Sequence, residues 1–257
     1  MAGAGSDWRT AGVSVPGVSH LRTGTPCQDA HLWEQTASGI LIAAVADGAG
    51  SASLADVGSA CAVRAAVKAS LEHLSDGLPL EDEDWQALLA EALQAGREAL
   101  TAEAAAHSGS LSDLATTLLV ALATPELVAA GQVGDGAVVV RLAGPRFQAV
   151  TRPPAQEFLN ETTFLTSEDV LDQAQFAVVR DHLTALALLS DGLQMLALKL
   201  PEGTPHPPFF DPLMRLVAEV NDRETAEEHL RRFFQSPRIT DRTDDDLTVV
   251  LAVRVGG

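Results

Sequence analysis

Four segments place aspartate where a run of apolar residues ends or begins. Asp47-Gly48 closes Leu41-Ile42-Ala43-Ala44-Val45-Ala46, and Asp191-Gly192 closes Ala185-Leu186-Ala187-Leu188-Leu189-Ser190. Asp135-Gly136 follows the apolar run 127–134, and Asp244-Asp245-Asp246 leads into Leu247-Thr248-Val249-Val250-Leu251. A carboxylate at the end of a buried strand keeps its charge only when it is paired or bound to a cation. Hard divalent cations such as magnesium (Mg2+) and manganese (Mn2+) take oxygen ligands from carboxylates, backbone carbonyls and water. A glycine after the aspartate lets the backbone turn sharply, so that a carbonyl can join the same cluster. Two such ions, about 3.5–4 Å apart, can activate a bridging water and neutralise a phosphoryl group. The chemistry open to these residues is hydrolysis of a phosphoester, with no nucleophilic side chain required.

Asp-Gly is also a strong hairpin signal. Asp135-Gly136 lies between two apolar runs and reads equally well as a turn. Asp47 and Asp191 have no strand directly after them; Asp47 runs into Ala49-Gly50-Ser51 and then a helical pattern. The metal reading therefore rests first on Asp47 and Asp191.

The elements that must position them follow from periodicity. A strand is predicted over 40–46 and a helix over 54–74, with Val57, Cys61, Val67, Leu71 and Leu74 near one face. Trp85, Leu88, Leu89, Ala92, Leu93, Gly96, Ala99 and Leu100 form one buried helical stripe. The acidic run Glu81-Asp82-Glu83-Asp84 that leads it suits the positive end of a helix dipole better than a metal site. Strands are predicted over 117–123, 127–133 and 137–142, a further pair over 176–180 and 184–189, and a last one over 247–255. Short helices are predicted over 212–220 and 225–234, and 147–175 reads as a long, mostly irregular segment of the kind that forms functional flaps. Blocks of strands and separate blocks of helices indicate an α+β fold with mainly antiparallel sheets, and 257 residues fit one large domain or two small ones.

Composition narrows the function. Of 257 residues, 46% are hydrophobic and 20% charged, the balance of a globular chain. The net charge of −18 argues against a nucleic-acid partner, whose phosphates need a basic surface. No apolar run reaches the roughly 18 residues of a membrane span, and the first ten residues lack a signal-peptide pattern. A cytoplasmic protein is expected, with Cys27 and Cys61 as small buried thiols and not a disulfide. The Asn160-Glu161-Thr162 sequon then has no glycosylation role. The seven histidines show no HxxxH or HExxH spacing, and neither a GxSxG elbow nor a GxxxxGK[ST] loop occurs, which excludes the usual zinc hydrolase, serine hydrolase and NTPase patterns.

The ordered set Pro26-Cys27-Gln28-Asp29-Ala30, Val45-Ala46-Asp47-Gly48-Ala49-Gly50, Ala115-Thr116-Thr117, Val133-Gly134-Asp135-Gly136, Leu189-Ser190-Asp191-Gly192 and Asp245-Asp246-Leu247-Thr248-Val249 resembles the metal-dependent protein phosphatase 2C-like family. Gly17-Val18-Ser19-His20 and Asn160-Glu161-Thr162-Thr163-Phe164 are similar to its bacterial branch. The resemblance implies a single domain over 1–257, a four-layer α/β/β/α sandwich, and serine/threonine phosphatase activity with two Mn2+ or Mg2+ ions and a possible third. It implies that Asp47 bridges both metals, that Gly48 gives its carbonyl, and that Asp191 and Asp245 complete one shell. Asp29 would form the acidic wall, and Asp135 would match the aspartate of a third, weaker ion. Asp246 rivals Asp245, and the spacing to Thr248 favours Asp245.

Two positions depart from the family pattern. Gly24 stands where many members have an arginine that grips the phosphate, leaving His20 or Arg22 as substitutes. Ala49 stands where eukaryotic members often have a histidine, so that leaving-group protonation would fall to a water on the metal. The expected partner is a phosphorylated protein, with a serine/threonine kinase beside it. The competing readings are a catalytically silent regulator of the same fold that binds a phosphoprotein or kinase, and a two-metal nuclease or small-molecule phosphatase.

Overall fold

The computed structural model describes residues 8–144, 146–153 and 162–255. Two five-stranded antiparallel sheets face each other. One runs β1(Trp8–Val15), β12(Leu247–Arg254), β9(Leu183–Leu189), β6(Ala137–Leu142) and β7(Phe147–Thr151) in spatial order. The other runs β2(Asp29–Gln35), β3(Leu41–Asp47), β4(Leu118–Thr124), β5(Leu127–Val133) and β8(Gln175–Arg180).

Each central strand is apolar on both faces because both faces are covered. On β3, Leu41, Ala43 and Val45 point into the inter-sheet core with Leu119, Val138, Leu186 and Val250. Alternate residues Ile42, Ala44 and Ala46 point outward, under the long helices α2(Ala55–Ser75) and α3(Asp82–Ala106). On the opposite sheet, Val139, Ala187 and Val249 pack beneath α5(Pro207–Glu219) and α6(Arg223–Phe234), where Phe210 and Phe234 are fully buried. The result is the four-layer α/β/β/α sandwich, completed by short pieces: α1(Val18–Thr23), α4(Gln194–Ala197), β10(Leu198–Lys199), β11(Thr204–Pro205) and α7(Pro237–Thr240).

Several expectations are met and several are corrected. The α3 stripe is buried as read, and Glu81 caps the helix in a reciprocal capping box with Asp84, so the acidic run belongs to the helix start. On α2 Val67 is buried as expected, but the rest of the buried face is mainly Val63 with the small residues Gly58, Ser59, Ala62, Ala66 and Ser70, while Val57, Cys61, Leu71 and Leu74 are only partly buried. Small residues let α2 approach closely; a Cβ on Gly58 would sit 2.4 Å from the Leu114 carbonyl oxygen. The 147–175 stretch is not wholly irregular: it contains β7 and a 3-10 turn, Val170–Gln173, and residues 154–161 within it lie outside the described set. The fifth helix begins at Pro207, with Pro212 inside it.

The hairpins are the main correction. Asp135-Gly136 does not close one, because β5 and β6 belong to different sheets. The pairing of 176–180 with 184–189 fails likewise: β8 bonds to β5, and β9 to β12 and β6. At both links the chain crosses from one sheet to the other. β1, β2 and β7, the two-residue β10 and β11, and the short helices α1, α4 and α7 fall outside the predicted elements.

Candidate active site

The crossing at Asp135 sets up one end of the sandwich. Asp29 opens β2 and faces Asp47, the last residue of β3, in direct antiparallel register. In the other sheet Leu189 pairs with both Ala137 and Val249, which brings Asp191, Asp135 and Asp245 to the same end. There, a cavity of about 230 Å³ is lined by Asp47, Asp135, Asp191 and Asp245, with His20, Gln28, Thr117, Thr162 and Asp246 around them.

The backbone of Asp47 is pinned on both sides. Its N–H donates to Thr117 Oγ1 (2.9 Å), and its carbonyl accepts from Thr116 Oγ1 (2.9 Å) and from the Thr117 N–H (2.8 Å). The carboxylate is thereby left to the cavity. Gly48 bridges to Thr116, and a Cβ there would stand 2.5 Å from the Ala55 carbonyl oxygen and 2.7 Å from that of Gln28. Close backbone approach, not a left-handed turn, is what demands glycine at this position. Gly192 obeys the same rule, with a Cβ placed 2.1 Å from the Asp246 carbonyl oxygen.

Asp245 and Asp246 separate cleanly. Asp245 is exposed at the cavity, its Oδ1 accepting from the Asp246 N–H at 2.8 Å. Asp246 is 3% exposed, and its carboxylate ties three segments together. Oδ1 accepts from the Gly17 N–H (2.7 Å) and His20 Nδ1 (2.8 Å), and Oδ2 from the Gln28 N–H (2.6 Å). Asp135 accepts from Thr162 Oγ1 at 3.0 Å, and its carbonyl accepts from Gln194 Nε2. His20 lines the cavity, whereas Arg22 is exposed on α1 and is not among the lining residues. Cys27 and Cys61 are both free.

The electrostatics are those of uncompensated acid. Burial, then the charges of Asp29 and Asp191, push the Asp47 carboxyl well above its ordinary value. Burial raises Asp191 to about 6 and Asp29 to about 7, and it also raises Asp135 and Asp245. Both Asp29 oxygens and Asp191 Oδ1 are buried without a well-formed hydrogen bond; the hydroxyls of Ser190 and Thr248 offset the burial of Asp29 only in part. No lysine or arginine is among the described residues lining the cavity. Groups in this condition fit a divalent cation, which satisfies several of them at once. Among the described residues no three His, Cys, Asp or Glu side chains converge as a ready-made cage. Magnesium-like ions do not require one, since they keep several waters and take one or two carboxylates.

Sequence reasoning assigned no role to the Thr116 and Thr117 hydroxyls, to Gln28 or to the strut made by Asp246. The Thr-Thr pair just before the β4 run was visible, but its partner, the Asp47 backbone, was not.

Fold and site together place a cluster of buried, mutually repelling carboxylates at one end of a double-sheet sandwich. The protein phosphatase 2C profile matches residues 16–235. The chain is 34% identical over 253 residues to serine/threonine-protein phosphatase 3 of Escherichia coli K12, covering 96% of this chain and 98% of that protein. The chain therefore belongs to the protein phosphatase 2C family. Solved structures share the fold. The serine/threonine phosphatase PstP/Ppp of Mycobacterium tuberculosis superposes with a TM-score of 0.63 at 19% identity, covering 97% of this chain and 99% of that one. Stp1 of Staphylococcus aureus gives 0.63 at 16% identity, with 96% and 95% covered. A catalytic domain of PstP in complex with two manganese ions gives 0.64 at 19% identity, with 97% and 99% covered.

Proposed function

We propose that this chain hydrolyses phosphoserine and phosphothreonine in proteins, using two Mn2+ or Mg2+ ions held in the carboxylate cavity. The observation that carries this reading is the convergence of Asp47, Asp191 and Asp245 on one cavity lacking any lysine or arginine among its described lining residues, with buried carboxylate oxygens left unpaired. Family membership and the two manganese ions of the PstP relative support it. Asp47, with Asp191 and Asp245 reached in part through water, would hold one ion, Asp47 with the Gly48 carbonyl the other, and Asp135 a third, weaker one. Bound there, the ions would lower the pKa of water and neutralise charge building on the phosphoryl oxygens.

The chain's own residues do the rest. The Thr116 and Thr117 hydroxyls fix the Asp47 backbone, so that its carboxylate is presented without reorganisation. Asp29 stands behind Asp47 and adds negative potential that favours cation entry. The missing arginine at Gly24 leaves phosphate affinity to the ions and to His20; Arg22 is turned to solvent. The same proposal places the chain in the cytoplasm with its substrate supplied by a serine/threonine kinase; no described helix is long and apolar enough to cross a membrane. A catalytically silent binding protein gains no support from a cavity whose carboxylates all remain.

Phosphate release from a phosphothreonine peptide tests the proposal. Wild type should turn over with manganese and stop in excess chelator, and Asp191→Asn should lose more than about 100-fold, the upper range for outer-shell partners of a metal. Turnover that persists in chelator would overturn it.

A further inference from the structure

A serine or threonine alkoxide is a poor leaving group and needs a proton as the bond to phosphorus breaks. The expected donor histidine after Asp-Gly is Ala49 here. Among the described residues lining the cavity, four are the carboxylates Asp47, Asp135, Asp191 and Asp245, which are committed to cations in the proposed function, and a fifth is Asp246. His20 is the one remaining lining side chain of a type that gives up a proton near neutral pH.

Its orientation is set by Asp246. That carboxylate already accepts from two backbone N–H groups, Gly17 on Oδ1 at 2.7 Å and Gln28 on Oδ2 at 2.6 Å. Acceptance on both oxygens makes Asp246 the acceptor in its 2.8 Å contact with His20 Nδ1, so Nδ1 carries a hydrogen. Nε2 is the ring nitrogen left over on a residue that lines the cavity, and it has no hydrogen-bond partner among the described residues. Ser19, next in the chain, donates from both its N–H and its hydroxyl to the Asp244 carbonyl (3.1 and 2.6 Å), clamping α1 onto the loop that holds Asp245. A buried carboxylate that accepts the Nδ1 hydrogen and a second ring nitrogen without a protein partner are the parts of a positioned proton donor once Nε2 has taken up a proton from solvent, so that the acting form is the imidazolium.

We propose that His20, held by Asp246, is the general acid of this site and protonates the departing serine or threonine oxygen. The attacking water forms the new P–O bond and releases a proton to solvent. The bond from phosphorus to Oγ breaks with its electron pair on Oγ, the Nε2 proton passes to that oxygen, and the imidazole regains a proton from solvent before the next turnover. His20 is on this view a catalytic residue and Asp246 a positioning one. The proposal rests on the phosphatase reading above.

Leaving-group dependence tests it. His20→Asn keeps an N–H in the place of Nδ1 for Asp246 but removes Nε2; His20→Gln guards against a variant that does not fold. Each is assayed with manganese on a phosphoserine peptide and on p-nitrophenyl phosphate, whose nitrophenolate leaves without a proton. Expected is a loss of about 100-fold or more in kcat on the peptide, within the usual range for general acid–base catalysis, and less than about 10-fold on p-nitrophenyl phosphate. Equal losses on both substrates, or no loss on either, would overturn the role of His20 while leaving the phosphatase reading intact. A wild-type protein inactive on both substrates would instead overturn the phosphatase reading itself.

Discussion

Replacing Asp47 by asparagine separates two things its carboxylate does. In the cation-free chain the group is buried and repelled by Asp29 and Asp191, which raises its pKa well above the ordinary value. Loss of that charge should raise the melting temperature of Asp47→Asn in chelator, measured by calorimetry, even as turnover disappears; a lower melting temperature would mean that the carboxylate is structurally satisfied. Asp246 predicts the opposite. It accepts three hydrogen bonds, two of them from backbone N–H groups. Asp246→Ala should cost about 3 kcal/mol, given about 1.5–3 kcal/mol for a bond to a charged group and incomplete additivity, or roughly 10 °C in Tm. A change under about 2 °C would show that solvent replaces these bonds. The sequence made Asp47 and Asp191 legible because each interrupts an apolar run with a charge. The spacing to Thr248 favoured Asp245 over Asp246 as a ligand, but nothing local marked Asp246 as a strut, since its partners lie more than 200 residues away at Gly17, His20 and Gln28.

At the scale of elements, α3 was read with its cap and its face because a period of 3.6 and an acidic N-terminus agree locally. β3, β4, β5 and β9 were read from continuous apolar runs, which a strand covered on both faces must have. β1 and β2 escaped because Trp-Arg-Thr-Ala-Gly-Val-Ser-Val and Asp-Ala-His-Leu-Trp-Glu-Gln are edge strands with polar residues interleaved. The two false hairpins have one cause: a short link looks the same whether the next strand pairs or crosses to the facing sheet, and only the sheet order decides. The crossing at 181–182 lies at the opposite end from the site, beside Pro125 and Glu126. The one at Asp135 matters to the site, because it lies where strand ends of both sheets meet the cavity. The backbones there touch, as at Gly192, where a Cβ would lie 2.1 Å from the Asp246 carbonyl oxygen. Gly192→Ala should therefore displace the Asp191 turn, destabilise by about 1–3 kcal/mol as overpacking does, and lower kcat on the order of 100-fold through misplacement. Wild-type kcat in this variant would show that the contact carries no positional information.

For the whole molecule, the raised carboxyls link stability to pH and to cations. The folded values of about 7 for Asp29 and about 6 for Asp191 lie above the ordinary 3.8, so the folded chain binds protons that the unfolded chain has released. The contribution of these groups is thus most favourable below about pH 4 and is lost as pH rises through 6 and 7. In chelator, Tm should fall across that window. Manganese at 100 times its Kd should restore about 2.7 kcal/mol at pH 7.5 and less at pH 5, where protons compete for the same oxygens. A Tm indifferent to manganese at pH 7.5 would contradict this linkage.

The most direct measurement titrates manganese into wild type and Asp47→Asn while ion binding and phosphate release from a phosphoserine peptide are followed in the same samples. Wild type should bind two ions, with turnover rising as they bind, and Asp47→Asn should lose both binding and turnover. Undiminished turnover in Asp47→Asn, or turnover in wild type before any ion is bound, would contradict the assignment of this cavity as a cation-dependent phosphatase centre.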